Sequence, residues 1–312
     1  MVNHVVRVLA PNPSPMTFEG TNSYVILGGS AAIAIDPGPT DPGHLDAIVA
    51  AAAAHGAKIT AIAVTHGHPD HAPGAAPLQA LTGAPVYAHE LARFPHDVTS
   101  VEGDLIVAGD ASLRVIEAPG HAREHLVFAF DDDASIFTGD CVVGGGTVVI
   151  APPGGDMRDY QETLVRLRRE CERVRVIYGG HGAAIDAPLA KIDEYIAHRA
   201  RREREILELL AGDERTIPEL VESIYWDVPK ALWPAAARQV LAYLIALERE
   251  RRVWVRTLDR TVTTRESDIL NPDLSLIVDP ESAAVARAEL GFDRTVDTID
   301  SYGLSSPARV KP

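Results

Sequence analysis

The sequence predicts an α+β protein with two parts, a layered domain of strands and helices and a smaller module that follows it. Short apolar runs alternate with turns and Ala-rich helical segments through the first half, which is typical of a layered domain. The composition changes near Pro188, where long charged helical patterns replace the short apolar runs. The length of 312 residues suits one large domain with a small companion.

The first part, residues 1–190, contains a series of apolar runs with the length and composition of buried strands. Residues 41–56 form a helical pattern that ends at Gly56. We expect strands and helices on this scale to pack as one domain. The predicted strands are 23–27, 31–36, 59–66, 85–89, 113–119, 126–130, 135–140 and 174–182.

The second part, residues 191–265, is predicted to be a winged-helix-like module, because helices are followed by a short hairpin pattern. The sequence TIPE (216–219) is a capping box with proline in the first turn, so a helix should begin there. Residues 266–312 are expected to be a tail or extension. The other predicted elements are helices at 191–210 and 235–251 and a strand pair at 253–256 and 260–264.

Charge and cysteine content narrow the class of protein. The net charge of −15 disfavours general attraction to nucleic acid or to an anionic membrane. The two cysteines, Cys141 and Cys171, are too few for a disulfide framework, which favours a reducing compartment. The N-terminal residues do not resemble a secretory signal, and the apolar runs are too short to span a membrane. We therefore expect a soluble, cytoplasmic protein without a membrane partner.

Metal-binding side chains are concentrated in the sequence THGHPDH (65–71), which contains His66, His68, Asp70 and His71. Imidazole and carboxylate groups suit Zn²⁺. The first two histidines could share one ion while Asp70 and His71 face another. Neither site would be complete, since each zinc needs further ligands from elsewhere in the chain.

Three further candidates share the same context, because each follows an apolar run and lies in a turn with glycine or proline. They are His121 in APGH, Asp140 in FTGD and His181 in YGGHG. Ligands on loops at strand ends are held in place by the sheet behind them. The shared context indicates that these residues complete the site begun by THGHPDH.

The motifs IDPG with Asp36, H-x-H-x-D-H, APGH, TGD and GHG resemble, in order and spacing, those of the metallo-β-lactamase superfamily. The resemblance implies an αββα sandwich with two Zn²⁺ ions. It also implies that Asp140 bridges the two ions and that Asp36 orients one of the ligands through a hydrogen bond. The first implied zinc has three histidine ligands, His66, His68 and His121. The second has a mixed set, Asp70, His71 and His181.

Further motifs are similar to the β-lactamase-like protein 2 branch of this superfamily, over about residues 10–260: GTNSY (20–24), HAREH (121–125), TGDC (138–141) and HRARRE (198–203). Animal members of that branch are mitochondrial endoribonucleases, and many bacterial members have no settled substrate. This chain has Ala122 where the branch usually has threonine. We expect His125 to be structural and not a ligand, and Cys141 to be buried and inert.

The resemblance implies hydrolysis by a hydroxide held between two zinc ions, with Asp70 and Asp140 as catalytic carboxylates. Our main interpretation is a hydrolase of a small-molecule ester, thioester, lactone or β-lactam bond, with β-lactams as promiscuous substrates. A second is a metal-dependent endoribonuclease that acts on single-stranded RNA. A third, a non-catalytic winged-helix regulator, is disfavoured by the complete ligand set. Iron or another divalent metal, and a homodimer, remain open alternatives.

Overall fold

The structure is a computed structural model that describes residues 4–271 and 297–305. Contacts along the chain divide it into two compact units. The first unit runs to Val148 and resumes over Glu162–Tyr195. The second consists of Val149–Gln161 and the described residues from Ile196 onward. The predicted boundary at residue 190 does not account for residues 149–161, which leave the first unit before the chain returns to it.

Two β-sheets form the body of the first unit. The first sheet has the order β1 (Val5–Leu9), β2 (Asn22–Gly28), β3 (Ala31–Ile35), β4 (Lys58–Ala63), β5 (Val86–His89) and β6 (Val98–Ser100). The second has the order β11 (Val176–Gly179), β10 (Ser135–Gly139), β9 (Leu126–Phe130), β8 (Ala111–Glu117) and β7 (Leu105–Ala108). All of the strands predicted in the first part are confirmed, whereas β1, β6 and β7 were not predicted.

The two sheets pack against each other through apolar side chains that alternate along the strands. Ile33 of β3, Leu113 of β8 and Phe128 of β9 belong to this shared core and are fully buried. Burial of such side chains is the main source of stability, at about 1.5–3 kcal/mol for each. The core fixes the sheets, and with them the ends of the strands.

Helices cover the outer faces of both sheets. The predicted helix α1 (Pro42–Ala53) and an unpredicted helix, α2 (Ala75–Thr82), pack their buried side chains against the first sheet. Helix α3 (Met157–Glu170) ends beside the second sheet, where Glu170 pairs with Arg114 of β8 at 3.0 Å. The αββα order predicted for the first part is therefore confirmed.

The second unit contains α5 (Ile217–Ile224), α6 (Trp233–Arg249), α7 (Thr264–Leu270) and the end of α4 (Pro188–Gly212). Helix α5 begins with the predicted capping box, in which Thr216 and Glu219 bond reciprocally. The core of the second unit contains Arg199 of the HRARRE motif, which is 1% exposed and donates to Oε1 of Gln239 at 3.1 Å. That motif therefore packs this unit internally.

The strand pair predicted at 253–256 and 260–264 is wrong. Residues of both runs belong to one strand, β13 (Val253–Thr261), whose antiparallel partner is β14 (Thr298–Leu304). The intervening sequence TLD lacks the glycine or asparagine that a tight hairpin turn requires. The strand β14 lies in the predicted tail and pairs on its other side with β12 (Arg215–Thr216). Residues 266–270 of that tail belong to α7, and its residues 272–296 and 306–312 lie outside the described residues.

None of the helices in residues 4–271 is both long enough and apolar enough to cross a lipid bilayer.

Candidate metal centre

The predicted ligands lie on loops that follow four strands. Strand β4 leads into the loop with THGHPDH, and β8, β10 and β11 each lead to one further ligand. The last three strands run in the same direction, so their C-terminal ends share one edge of the second sheet. The side chains meet there in three overlapping groups, each with its ligand atoms within 4.8 Å of one another. The groups together comprise His66, His68, Asp70, His71, His121, Asp140 and His181.

Three histidines form the first ligand group. Nε2 of His66 and Nε2 of His121 lie 2.9 Å and 3.0 Å from Nδ1 of His68. The ring of His68 stands at 72° to that of His66 and at 77° to that of His121. Ring nitrogens, and not ring faces, therefore converge on a common point. The group is an all-nitrogen donor set.

The second ligand group contains a carboxylate. Oδ2 of Asp70 lies 3.2 Å from Nε2 of His181 and 3.4 Å from Nε2 of His71. A tetrahedral zinc ion with bonds of about 2.0–2.1 Å holds its ligand atoms about 3.3 Å apart. The observed spacing therefore suits an ion of that size.

Asp140 contacts both ligand groups. Its Oδ2 lies 3.4 Å from Nε2 of His181 and 3.8 Å from Nε2 of His121, and its Oδ1 lies 3.5 Å from Nε2 of His71. Oδ1 of Asp140 and Nε2 of His71 are buried and have no hydrogen-bond partner among the described residues. Each such atom costs about 1–3 kcal/mol unless something satisfies it. A metal ion would satisfy both, so the residues fit a metal centre.

Asp36 acts behind both groups at once. Its Oδ2 accepts hydrogen bonds from Nδ1 of His71 at 2.8 Å and from the hydroxyl of Thr65 at 2.7 Å. Because Thr65 gives its proton to Asp36, its oxygen accepts from Nδ1 of His66 at 2.9 Å. One carboxylate thus holds the proton on Nδ1 of a histidine in each group. The Nε2 atoms of both histidines are left to bind a metal.

The backbone at Asp36 and at Gly180 is specialised for this arrangement. Asp36 is 2% exposed and has φ of 47°, in the left-handed region that non-glycine residues rarely adopt. A Cβ atom on Gly180 would lie 2.5 Å from Oδ1 of Asp140 and 2.6 Å from Cε1 of His71. The glycine of the GHG motif therefore leaves room for two ligands to approach each other.

The two groups differ in charge before any metal binds. Burial, reinforced by neighbouring histidines, lowers the pKa of His66 well below its usual range and that of His68 to about 3. Burial also acts on His71 and His181, but nearby carboxylates outweigh it and raise the pKa of His181 to about 10 and that of His71 well above its usual range. His66 and His68 are therefore neutral, whereas His71 and His181 hold protons that a metal ion would displace.

The GTNSY segment anchors the site, a role that the sequence analysis did not assign to it. The hydroxyl of Thr21 donates to Oδ2 of Asp70 at 2.9 Å. Nδ2 of Asn22 donates to the carbonyls of Gly179 and Gly182 at 3.0 Å and 2.9 Å, on either side of His181. The motif was visible in the sequence, but only the fold shows which loops it reaches.

The HAREH segment contains two buried or bonded side chains, Glu124 and His125, besides the candidate ligand His121. Oε1 of Glu124 accepts the backbone N–H of Gly67, between His66 and His68, at 3.3 Å. His125 is fully buried and belongs to none of the three ligand groups found in the described part of the chain. Its neighbour Cys141 is also fully buried, as expected, and burial raises the pKa of its thiol well above the usual range.

Family models match both units of the chain. The model of the metallo-beta-lactamase superfamily matches residues 16–181, just over half of the sequence. The model of the beta-lactamase associated winged helix domain matches residues 216–257. The first match contains every predicted metal ligand.

Two curated relatives match most of the chain. A beta-lactamase-like protein 2 homolog of Drosophila melanogaster is 31% identical over 276 residues, which are 82% of this chain and 91% of the relative. An atrochrysone carboxyl ACP thioesterase of Aspergillus chevalieri is 32% identical over 263 residues, 80% of this chain and 82% of the relative.

The fold is also found in solved structures. The crystal structure of a beta-lactamase domain protein from Burkholderia ambifaria matches with a TM-score of 0.70 at 18% identity, over 83% of this chain and 90% of that one. The chain therefore belongs to the metallo-β-lactamase superfamily, in the β-lactamase-like protein 2 branch with its C-terminal winged-helix domain, and is a hydrolase of that superfamily.

Proposed function

We propose that this hydrolase binds two zinc ions and cleaves a small-molecule acyl bond, with a thioester as the first candidate. The observation that carries the proposal is the pair of ligand groups joined by Asp140, which contacts histidines of both. Thioester hydrolysis is named for a relative that is 32% identical to this chain. Esters, lactones and β-lactams present the same kind of carbonyl carbon and are the alternative substrates.

His66, His68 and His121 would hold one ion, and Asp70, His71 and His181 the other, with Asp140 between them. When bound, such ions lower the pKa of water towards neutrality and polarise a substrate carbonyl. The protein needs no serine or cysteine nucleophile for this chemistry. Iron or another divalent metal would be held by the same donors.

Asp70 is the carboxylate best placed to handle a proton. Its side chain is 25% exposed, whereas that of Asp140 is 12% exposed and that of Asp36 is 3% exposed. The hydroxyl of Thr21 fixes the position of Oδ2. We propose that Asp70 orients the attacking water and accepts its proton, which then passes to the leaving thiolate or alkoxide.

Exposed apolar side chains in the loop that leads to Thr21 favour an acyl substrate. Met16 and Phe18 are 43% and 40% exposed, and they lie in the loop that leads to Thr21. The same loop is tied to Thr21 through Asn12, whose Nδ2 donates to the threonine hydroxyl at 2.9 Å. Exposed apolar groups on a structured loop suit an apolar acyl chain better than a polyanion.

Similarity to the β-lactamase-like protein 2 homologues keeps single-stranded RNA as a second candidate substrate. The charge does not favour it, since residues 200–260 contain 11 basic and 11 acidic residues and the whole chain has a net charge of −15. Modules that bind nucleic acid are usually basic. The small-molecule substrate is therefore the proposed partner, and the homodimer remains a proposal.

Competing substrates separate these functions. Zinc-loaded protein would be given an acyl thioester, a nitrocefin-type β-lactam and a labelled single-stranded RNA, with Asp140→Ala as the matched inactive variant. We expect thioester turnover that Asp140→Ala abolishes, weak β-lactam turnover and intact RNA. RNA cleavage that is lost in Asp140→Ala, without carbonyl turnover, would replace the proposed function with an endoribonuclease.

A further inference from the structure

We infer that His125 is a positioning residue for the metal centre, and that Cys141 sets its orientation. Both side chains are fully buried and lie beside Asp140 without contributing to a ligand group. The inference rests on the proposed metal centre, and it goes beyond the expectations that His125 is structural and that Cys141 is buried and inert. Its basis is a directed chain of hydrogen bonds.

The direction of this chain follows from its first bond. The backbone N–H of Asp140 donates to Nε2 of His125 at 3.2 Å. An amide N–H can only donate, so Nε2 is the unprotonated nitrogen and a neutral ring carries its proton on Nδ1. Nδ1 lies 3.5 Å from Sγ of Cys141, and the thiol in turn donates to the carbonyl of Ala118 at 3.5 Å.

This chain of hydrogen bonds joins the loops of two candidate ligands. Asp140 directly follows β10, and Ala118 opens the APGH loop that carries His121. The ring of His125 also stacks on that of His66, with centroids 4.6 Å apart and an angle of 23° between the rings. The buried side chain of His125 therefore links three loops of the site, those that carry His66, His121 and Asp140.

The carboxylate of Asp140 depends on this support. Its Oδ1 has no hydrogen-bond partner among the described residues, so hydrogen bonds do not hold both of its oxygens. Gly139, just before it, has φ of +47°, and a Cβ there would lie 2.7 Å from Oγ1 of Thr65 and 3.0 Å from Cε1 of His125. The space around this backbone is filled, so a change at His125 would displace the residue that contacts both ligand groups.

The protein contains a matched control residue for His125 and another for Cys141. His89 is 8% exposed and its Nδ1 accepts the backbone N–H of Leu91 at 3.0 Å, so it is another buried histidine that supports a backbone amide. Cys171 is 1% exposed and is the other buried cysteine. Neither residue belongs to a ligand group in the described residues.

The test is the affinity for metal, measured by competition with a chelator for Zn²⁺ and by the visible absorption spectrum of the Co²⁺ form. The variants are His125→Leu and Cys141→Val, the conservative replacements His125→Gln and Cys141→Ser, and the controls His89→Leu and Cys171→Val. We expect His125→Leu to weaken metal binding by about 10–100-fold and to change the Co²⁺ spectrum, since loss of an outer support has effects of that size. His125→Gln should recover much of the affinity, because its amide oxygen can accept from Asp140.

A merely structural role would give a different pattern. If His125→Leu and His89→Leu lower thermal stability alike and leave metal affinity and the Co²⁺ spectrum unchanged, the inference is wrong. If His125→Leu does not fold, the metal affinity of Cys141→Val is compared with that of the control Cys171→Val. Equal metal affinities of these two variants would overturn the inference. Absence of Zn²⁺ and Co²⁺ binding in the unmodified protein would instead contradict the proposed metal centre itself.

Discussion

At the scale of single residues, the most informative feature is the position of Asp36 and Thr65 behind both ligand groups. Thr65 passes the hydrogen bond from His66 to Asp36, which holds His71 directly. The two groups are thus oriented by one buried carboxylate. A substitution at Thr65 should therefore alter the orientation of His66 in the first group while leaving the hydrogen bond between Asp36 and His71 in place.

Thr65→Val tests this relay, because valine keeps the shape of threonine and removes the hydroxyl. We expect loss of the Nδ1 partner of His66 to reduce metal affinity or kcat/KM by about 10–100-fold. Thr65→Ser keeps the hydroxyl and should stay close to the unmodified protein. Equal kcat/KM and metal content in Thr65→Val and Thr65→Ser would show that the relay has no role.

The pKa shifts predict how the metal-free protein responds to pH. The pKa of His68 is lowered to about 3, so its contribution to stability is present above about pH 6.5 and is lost as the pH falls towards about 3. The lowered pKa values of His66 and His125 act in the same direction. The pKa of His181 is raised to about 10, so its contribution to stability is present below about pH 6.5 and is lost as the pH rises towards about 10. The raised pKa of His71 acts in the same direction.

The metal-free protein should therefore be most stable near pH 6.5, and zinc should remove the alkaline loss because it takes the place of the protons. The measurement is the urea midpoint between about pH 5 and 9, with a chelator or with excess zinc. A metal-free midpoint that stays constant from neutral to alkaline pH would contradict the charge state assigned to the second group.

At the scale of elements, the site is built from the ends of strands, and this explains what the sequence could predict. Every candidate ligand lies in a short motif directly after an apolar run, so all seven could be proposed from local patterns. The supports could not, because they connect distant segments. Thr21 and Asp70 are 49 positions apart, and Asn22 and Gly179 are 157 positions apart.

Asn22→Ala tests the anchor at the start of β2. We expect it to release the carbonyls of Gly179 and Gly182 and to loosen the loop of His181, so the second equivalent of zinc should bind more weakly than the first. Tyr24→Phe, which removes only the hydroxyl bond to the carbonyl of Gly179 at 2.7 Å, should have a smaller effect. Uniform weakening of both zinc equivalents in Asn22→Ala would argue against a loop-specific role.

The strand β14 is the element that sequence patterns missed most clearly, because its partner β13 lies far away in the chain and no turn signal links them. It is the central strand of its sheet, and Ile299 is 2% exposed whereas its neighbour Thr298 is exposed to solvent. Ile299→Ala should cost about 2–5 kcal/mol of unfolding free energy. Thr298→Ala should cost less than about 0.5 kcal/mol.

Denaturant unfolding, followed by a signal from the tryptophans of the second unit, measures both changes. Trp254 lies on β13 and its Nε1 donates to the carbonyl of Leu304 on β14 at 3.1 Å, so its fluorescence reports on this strand pair. Equal stability of the two variants would mean that β14 does not contribute to the core of the unit.

At the scale of the whole molecule, the sequence predicted the class of each unit but not the path of the chain between them. The composition change near Pro188 marks the start of α4, yet residues 149–161 already belong to the second unit. Periodicity along a segment shows which face is apolar, and it carries no information about which core that face joins. The winged-helix domain was predicted from local patterns and the αββα layers from the resemblance of the metal-binding motifs to a known superfamily, and neither source traces the path of the chain between the units.

The central claim is that hydrolysis depends on two metal ions held by the joined ligand groups. The most direct measurement is elemental analysis during stepwise reconstitution of chelator-treated protein with zinc, with thioester turnover followed at each step and with His68→Ala in parallel. We predict about two equivalents of zinc at saturation and activity that rises with metal content. In His68→Ala we predict that metal and activity are lost together. Full turnover by metal-free protein would contradict the account.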